Sequence, residues 1–176
     1  KESSAASDVY KRQVQVLLVM HRGRLTVDKL GAMRDPADIE CWLTDMDGVL
    51  VHENHEVPGA SDLINRWVDT SKRFLVLTNN SIFTPRDLAA RMQASGLTVP
   101  EDNIWTSALA TAHFLADQQP GARLYVIGEA GLTTALHEAG FILTDIDPDY
   151  VVLGETRTYS FEAITRAVSY THLRAH

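Results

Sequence analysis

The chain has 176 residues, 45% of them hydrophobic and 22% charged, and its formal net charge is −7 at pH 7. This length and apolar content allow a buried core, as one domain or as one domain with part of a second, and they exclude disordered proteins and small disulfide scaffolds. The acidic balance argues against a nucleic acid polymer or an anionic membrane as a partner, and the single cysteine, Cys41, favours a reducing compartment, so we expect a cytoplasmic protein.

The first 39 residues carry little of a regular pattern. Residues 1–13 are polar with neither structural period, and residues 169–176 form a similar stub after a helical pattern. Both resemble translated adapter sequence, although an ordinary frayed terminus is the alternative. We interpret them as a non-native leader and a non-native tail, and residues 14–39 as an N-terminal extension.

The longest apolar run, residues 16–20, is far shorter than the roughly 20 residues of a membrane-spanning helix.

From Glu40 onward, short apolar strands alternate with amphipathic helices. The predicted strands are residues 41–44, 74–77, 104–106, 124–127 and 150–153. The predicted helices begin at Pro58 and after Thr84, and the later ones cover residues 107–116, 131–139 and 161–168. This alternation is typical of α/β proteins with a parallel sheet, in which ligands bind beyond the carboxyl ends of the strands.

The first polar cluster at a strand end contains two aspartates. Asp45 and Asp47, followed by Gly48, come directly after the first strand. Carboxylates at this spacing can converge on one cation, with Asp45 as metal ligand and nucleophile and Asp47 as general acid and base. Gly48 allows a sharp turn that brings backbone N–H groups toward an anion. Magnesium is the expected ion, because two carboxylates would otherwise repel a phosphate.

Three other interpretations of the aspartate pair stay open at this point. A calcium loop of the EF-hand type would want an oxygen ligand and a glycine where Val49 and Leu50 stand. The two aspartates could instead only cap the following turn, or they could hold a purely structural ion.

The second polar cluster favours chemistry over turn formation. Thr78, Asn79 and Asn80 follow the next predicted strand, and their hydroxyl and amide groups suit the phosphoryl oxygens of a transition state. In isolation the two asparagines would be interpreted as turn residues. Residues 128–131, by contrast, are interpreted as a plain strand-to-helix turn.

Several short motifs together carry a family resemblance. They are Asp45-Met46-Asp47-Gly48-Val49-Leu50, Val57-Pro58-Gly59-Ala60, Leu77-Thr78-Asn79-Asn80, Thr106-Ser107-Ala108, residues 125–129 and residues 151–157. In these motifs the chain resembles the haloacid dehalogenase superfamily, subfamily IIA, the NagD-like phosphatases. The resemblance covers about residues 40–168. It implies an α/β fold with a Rossmann-like parallel sheet as core and an inserted α/β cap of the C2 type, both truncated at the C-terminus.

The resemblance also implies roles and domain limits. Asp45 would be the phosphoryl-accepting nucleophile and a magnesium ligand, and Asp47 the acid and base that binds magnesium through its backbone carbonyl. Gly48, Thr78, Asn79 and Asn80 would contact the substrate. The first part of the core would be residues 40–107 and the partial cap residues 108–168, with residues 154–159 as a candidate contact between cap and substrate.

One departure from the family pattern concerns activity. The family's lysine and its later acidic pair have no counterpart after Val168, so we expect a fragment that is inactive by itself. The full-length parent would be a magnesium-dependent phosphomonoester hydrolase, with nucleoside monophosphates as the first substrate class. Sugar phosphates or phosphoglycolate are the alternative substrates, and a non-catalytic binding module is the alternative function. The partner would be a small phosphorylated metabolite, and a homo-oligomer is left open.

Overall fold

The computed structural model describes residues 39–173 as two neighbouring α/β units. The expectations for residues 1–38, and for residues 174–176 of the predicted tail, lie outside this range. The strands are β1 (Cys41–Asp45), β2 (Val51–His52), β3 (His55–Glu56), β4 (Arg73–Thr78), β5 (Ile104–Thr106), β6 (Arg123–Ile127), β7 (Ile142–Leu143) and β8 (Tyr150–Leu153). The helices are α1 (Ala60–Asp69), α2 (Pro85–Ala94), α3 (Ser107–Gln118), α4 (Ala130–Glu138) and α5 (Phe161–Leu173), with a 3₁₀ turn at Glu101–Asn103.

Two parallel sheets organise these elements. The first sheet has the strand order β1-β4-β5 and the second β7-β6-β8, while β2 and β3 form a separate antiparallel hairpin. All ladders within both three-stranded sheets are parallel. The predicted α/β class with parallel sheets is therefore confirmed.

Each sheet has its own hydrophobic core. The first core gathers buried side chains of α1, α2, β4, β5 and the turn after β1, among them Leu50, Ile64 and Val76. The second core gathers side chains of α3, α4, β6 and β8, among them Leu124 and Leu136. The chain passes from one core to the other between Thr106, the last residue of β5, and Ala108 in the first turn of α3.

An aromatic stack closes the first core at β1. The Trp42 and Trp67 rings lie 5.7 Å apart and nearly parallel, and the Phe74 ring lies 5.3 Å from that of Trp67. Such pairs join strand β1, helix α1 and strand β4 through large apolar surfaces.

Local signals explain most element ends. Thr84 and Asp87 form a complete capping box before Pro85, which starts α2 as predicted. Helix α1 begins at Ala60, two residues after the predicted start at Pro58, because Gly59 takes a left-handed φ of 90°.

Helix α5 corrects the expected helix end at Val168. The helix continues to Leu173, into the stretch that we interpreted as an unpatterned tail. The Tyr170 ring lies 5.0 Å from that of Tyr125, and the Tyr170 hydroxyl donates to the backbone oxygen of Asp145. These tertiary contacts hold the last turn against β6. None of the helices among residues 39–173 is long and apolar enough to cross a membrane.

Candidate active site

The carboxyl end of β1 places Asp45 beside β4. In the parallel register Asp45 pairs with Leu77, and the Met46 N–H donates to the Leu77 oxygen at 2.9 Å. The Asp45 side chain is exposed at this edge, whereas Met46 is buried in the first core. Strand pairing and the buried Met46 thus fix the backbone from which the predicted nucleophile projects.

A tight turn follows Asp45. The N–H groups of Leu50 and Val51 both donate to the Met46 oxygen, at 3.0 and 3.1 Å. Gly48 has the positive φ of 77° that we predicted for a sharp turn. Its own N–H donates to the Val51 oxygen at 2.8 Å, so the predicted contact of Gly48 with a substrate does not use that group.

Thr78 joins the two polar clusters. Its hydroxyl donates to Oδ2 of Asp47 at 3.1 Å, although the two residues are 31 positions apart in the sequence. The Asn80 N–H donates to the same Thr78 oxygen, also at 3.1 Å. Thr78 is buried, so packing fixes the side chain that makes both of these hydrogen bonds.

The two asparagines take different places in the loop after β4. The Oδ1 atom of Asn80 accepts hydrogen bonds from the N–H groups of Ile82 and Phe83 at 3.0 and 2.9 Å. This oxygen therefore stabilises the turn, which agrees with the alternative interpretation of Asn80 as a turn residue. Asn79 has an exposed side chain, and its backbone oxygen accepts from the Ser107 hydroxyl at 2.7 Å.

A small cavity opens beside Asp47. Its volume is about 250 Å³, and Met46, Asp47 and Asn80 are among the residues that line it. Phe83 and Arg91 also line it, with the Arg91 guanidinium 4.4 Å from the centre of the Phe83 ring. Sequence reasoning missed both residues, because only the packing of α2 against the loop brings them to Asp47.

Residues 154–159, the predicted cap contact, lie against the loop that follows β4. The Glu155 N–H donates to the Ser81 hydroxyl at 2.9 Å, and the Thr156 hydroxyl donates to the Glu129 carboxylate. Residues 154–159 are therefore adjacent to the second polar cluster through the hydrogen bond from Glu155 to Ser81.

The electrostatics of the aspartate pair favour a bound cation. Partial burial raises the pKa of Asp45, the Met46 N–H hydrogen bond lowers it, and the negative charge of Asp47 raises it again, with a net rise. Magnesium typically binds one or two carboxylates together with water and substrate phosphate. Within residues 39–173 no group of three or more His, Cys, Asp or Glu side chains could hold a metal. The Asp45 carboxylate and the Asp47 backbone oxygen are oxygen ligands of the kind that such an open magnesium site uses.

The raised pKa of Asp45 predicts a pH-dependent stability effect. At about pH 7 and without metal, Asp45→Asn should increase the free energy of unfolding, because the folded state disfavours the charged carboxylate. The difference should shrink as the pH falls toward 3.8, the ordinary value, where Asp45 is increasingly protonated in both states. Urea denaturation of both proteins across this range measures it, and equal midpoints at neutral pH would contradict it.

Comparison with known proteins identifies the family. Residues 42–142 match the sequence profile of haloacid dehalogenase-like hydrolases. The chain belongs to this family. The family membership that we predicted from the motifs is confirmed, and the parallel sheets described above are those of the haloacid dehalogenase-like fold.

Relatives within the haloacid dehalogenase-like family are phosphatases by name. The chain is 62% identical over 128 residues to the dihydroxyacetone phosphatase of Corynebacterium glutamicum, covering 73% of this chain and 46% of the relative. It is 42% identical over 125 residues to the ribonucleotide monophosphatase NagD of Escherichia coli, covering 71% and 50%. The solved NagD structure superposes with a TM-score of 0.69 at 40% identity, covering 73% of this chain and 51% of NagD. The chain thus spans about half the length of these relatives.

Proposed function

We propose that the protein carrying this chain is a magnesium-dependent phosphomonoester hydrolase acting on small phosphorylated metabolites. The observation that carries the proposal is the hydrogen bond from Thr78 to Asp47, which joins the two polar clusters at the ends of adjacent parallel strands. Chains similar to this one, named as phosphatases, support the same reaction class. The first core with residues 40–107 would be the catalytic core, and residues 108–168 part of a cap.

In the proposed reaction, an Asp45 carboxylate oxygen attacks phosphorus, and the bond from phosphorus to the substrate alcohol oxygen breaks. Asp47 gives its proton to that oxygen, so a neutral alcohol leaves and an acyl-phosphate remains on Asp45.

Asp47 then acts as a base. It takes a proton from water, the water oxygen attacks phosphorus, and the bond from phosphorus to Asp45 breaks to release inorganic phosphate. The Asp45 carboxylate and the backbone oxygen of Asp47 would hold magnesium, which supplies charge compensation between the carboxylates and the phosphoryl group. On substrate binding the Thr78 hydroxyl would turn from Asp47 to a phosphoryl oxygen, which Asn79 would also contact.

For the substrate, we propose a small sugar phosphate of the size of dihydroxyacetone phosphate. The relative with 62% identity carries that activity in its name. Nucleoside monophosphates, which the sequence placed first, are the second candidate, supported by the similarity to NagD.

A substrate panel tests the proposal on the full-length protein. Phosphate release should require magnesium, should stop with EDTA, and should be at least about tenfold more efficient with dihydroxyacetone phosphate than with nucleoside monophosphates or phosphoglycolate, a difference within reach of a few pocket contacts. The 176-residue chain, assayed in parallel, should show no turnover. Absence of magnesium-dependent release from every phosphomonoester would contradict the proposed function, and a preference for nucleotides would contradict only the substrate.

A further inference from the structure

The loop after β4 is held from outside by the second unit. The Gly131 N–H at the start of α4 donates to the Ile82 oxygen at 2.8 Å. The Glu155 N–H, just after β8, donates to the buried Ser81 hydroxyl at 2.9 Å. Residues 79–83, called here the 79–83 loop, thus receive two hydrogen bonds from backbone donors that belong to the second unit.

Gly131 leaves no space for a side chain at this contact. A Cβ atom there would lie 2.5 Å from the Phe83 oxygen and 2.8 Å from the Ser81 oxygen, both backbone atoms. Gly131 does not have a positive φ, so its backbone conformation would allow another residue. The close approach of the 79–83 loop is what requires a glycine at this position. Glycine is a weaker helix former than alanine, and the close contact gives a reason for its presence in the first turn of α4.

Gly154 also lies close to the 79–83 loop, beside the hydrogen bond from Glu155 to Ser81. A Cβ atom at Gly154 would lie 3.3 Å from the Ser81 hydroxyl oxygen and 2.6 Å from a Leu132 methyl group. Two glycines of the second unit therefore flank the same loop. The strand-to-helix turn at residues 128–131, which we interpreted as plain, is one side of this contact.

On its inner side the 79–83 loop leads directly to the aspartates. Ile82 and Phe83 donate to Oδ1 of Asn80, and Asn80 donates to the Thr78 hydroxyl oxygen. Thr78 in turn donates to Asp47. A series of hydrogen bonds therefore connects the buried Gly131 of the second unit to Asp47, the predicted acid and base.

We infer that Gly131 and Ser81 are positioning residues for phosphoryl binding. The second unit fixes the position of the 79–83 loop, and with it Asn79 and the Asn80 N–H that donates to Thr78. The N–H groups of Ile82 and Phe83 donate to Asn80, and the Asn80 N–H donates to Thr78. A displacement of the loop therefore moves Asn80 with it and disturbs its hydrogen bond to Thr78. The inference rests on the proposed function, and it adds residues that do not touch the substrate.

Two variants of the full-length protein test it. Gly131→Ala forces the 79–83 loop and α4 apart by several tenths of an ångström, and Ser81→Ala removes the acceptor of the Glu155 N–H. The inhibition constant of inorganic phosphate as a competitive inhibitor should rise about tenfold in each variant, since a misplacement on the order of 1 Å is costly at a reacting centre. A merely structural defect reduces the amount of active enzyme and leaves this constant unchanged.

A matched control uses the neighbouring position on the same helix. Ala130 is exposed, so Ala130→Ser should keep the inhibition constant within about twofold. Unchanged constants in folded Gly131→Ala and Ser81→Ala proteins would overturn the inference. If Gly131→Ala fails to fold, Ser81→Ala alone decides it.

A spectroscopic measurement separates this inference from the proposed function. In ¹H–¹⁵N spectra, both variants should shift the amide signals of Asp47, Asn79 and Asn80, whereas Ala130→Ser should not. Unshifted signals overturn the inference whether or not the enzyme is active. Shifted signals in a protein without phosphatase activity contradict the proposed function, and with it the phosphoryl-binding role of the two residues.

Discussion

Asp45→Asn is expected to abolish phosphatase turnover in the full-length protein, with a loss of at least about a thousandfold. An amide is neutral and a poor nucleophile, and it cannot form the acyl-phosphate. The loss should be in catalysis and not in folding, because Asp45 is exposed and its raised pKa shows that the folded state disfavours its charge. Steady-state phosphate release measures turnover. Acid quench of a single turnover followed by mass spectrometry measures the phosphorylated enzyme, which should be absent in the variant.

Asp69→Asn is the matched control for this experiment. Asp69 is the exposed last residue of α1, away from the polar clusters in the sequence and in the fold. The same chemical change there should leave turnover within about twofold of the parent. Magnesium-dependent turnover that persists in Asp45→Asn would refute the nucleophile assignment, and a phosphorylated residue elsewhere would identify the true acceptor.

Ile64→Ala is expected to have the largest effect on stability. Ile64 is 0% exposed in the first core, on the buried face of α1. Removing a buried isoleucine side chain beyond Cβ costs about 2 to 5 kcal/mol of unfolding free energy, a large share of the roughly 5 to 15 kcal/mol typical of a domain. Urea denaturation followed by far-ultraviolet circular dichroism measures the change.

Leu63→Ala is the control on the neighbouring residue of the same helix. Leu63 is 38% exposed, so its truncation should cost about 1 kcal/mol or less. A similar loss in both variants would mean that helix propensity, and not packing of the first core, determines the stability of α1.

The apolar strands of the two parallel sheets could be predicted because they are continuous hydrophobic runs. Strands β2, β3 and β7 have two residues each, too few to show a period. The β2–β3 hairpin depends on positive φ values at Glu53 and Asn54, and asparagine is a weak signal of this conformation. The end of α5 depends on ring contacts of Tyr170 with another element, which no local pattern contains.

The candidate site shows the same division between local and tertiary information. Asp45, Asp47 and Thr78 could be placed together because the carboxyl ends of adjacent parallel strands lie at one edge of the sheet. The use of the Asn80 oxygen within its own turn, and the approach of Gly131 to Phe83, depend on how the loop packs. The sequence around each of these residues is compatible with several such packings.

The aromatic stack at β1 has a consequence for following the two cores separately. The chain has three tryptophans, and Trp42, Trp67 and Trp105 all precede Ser107, where α3 begins. Trp42 and Trp67 pack in the first core, whereas Trp105 also contacts the His113 ring of α3 at 5.0 Å. In a Trp105→Phe protein, tryptophan emission therefore reports on the first core, whereas circular dichroism averages over both. Emission and dichroism curves that coincide would show that the two cores unfold in one cooperative step. An earlier dichroism change would show that the second core opens while the stacked indoles stay in place.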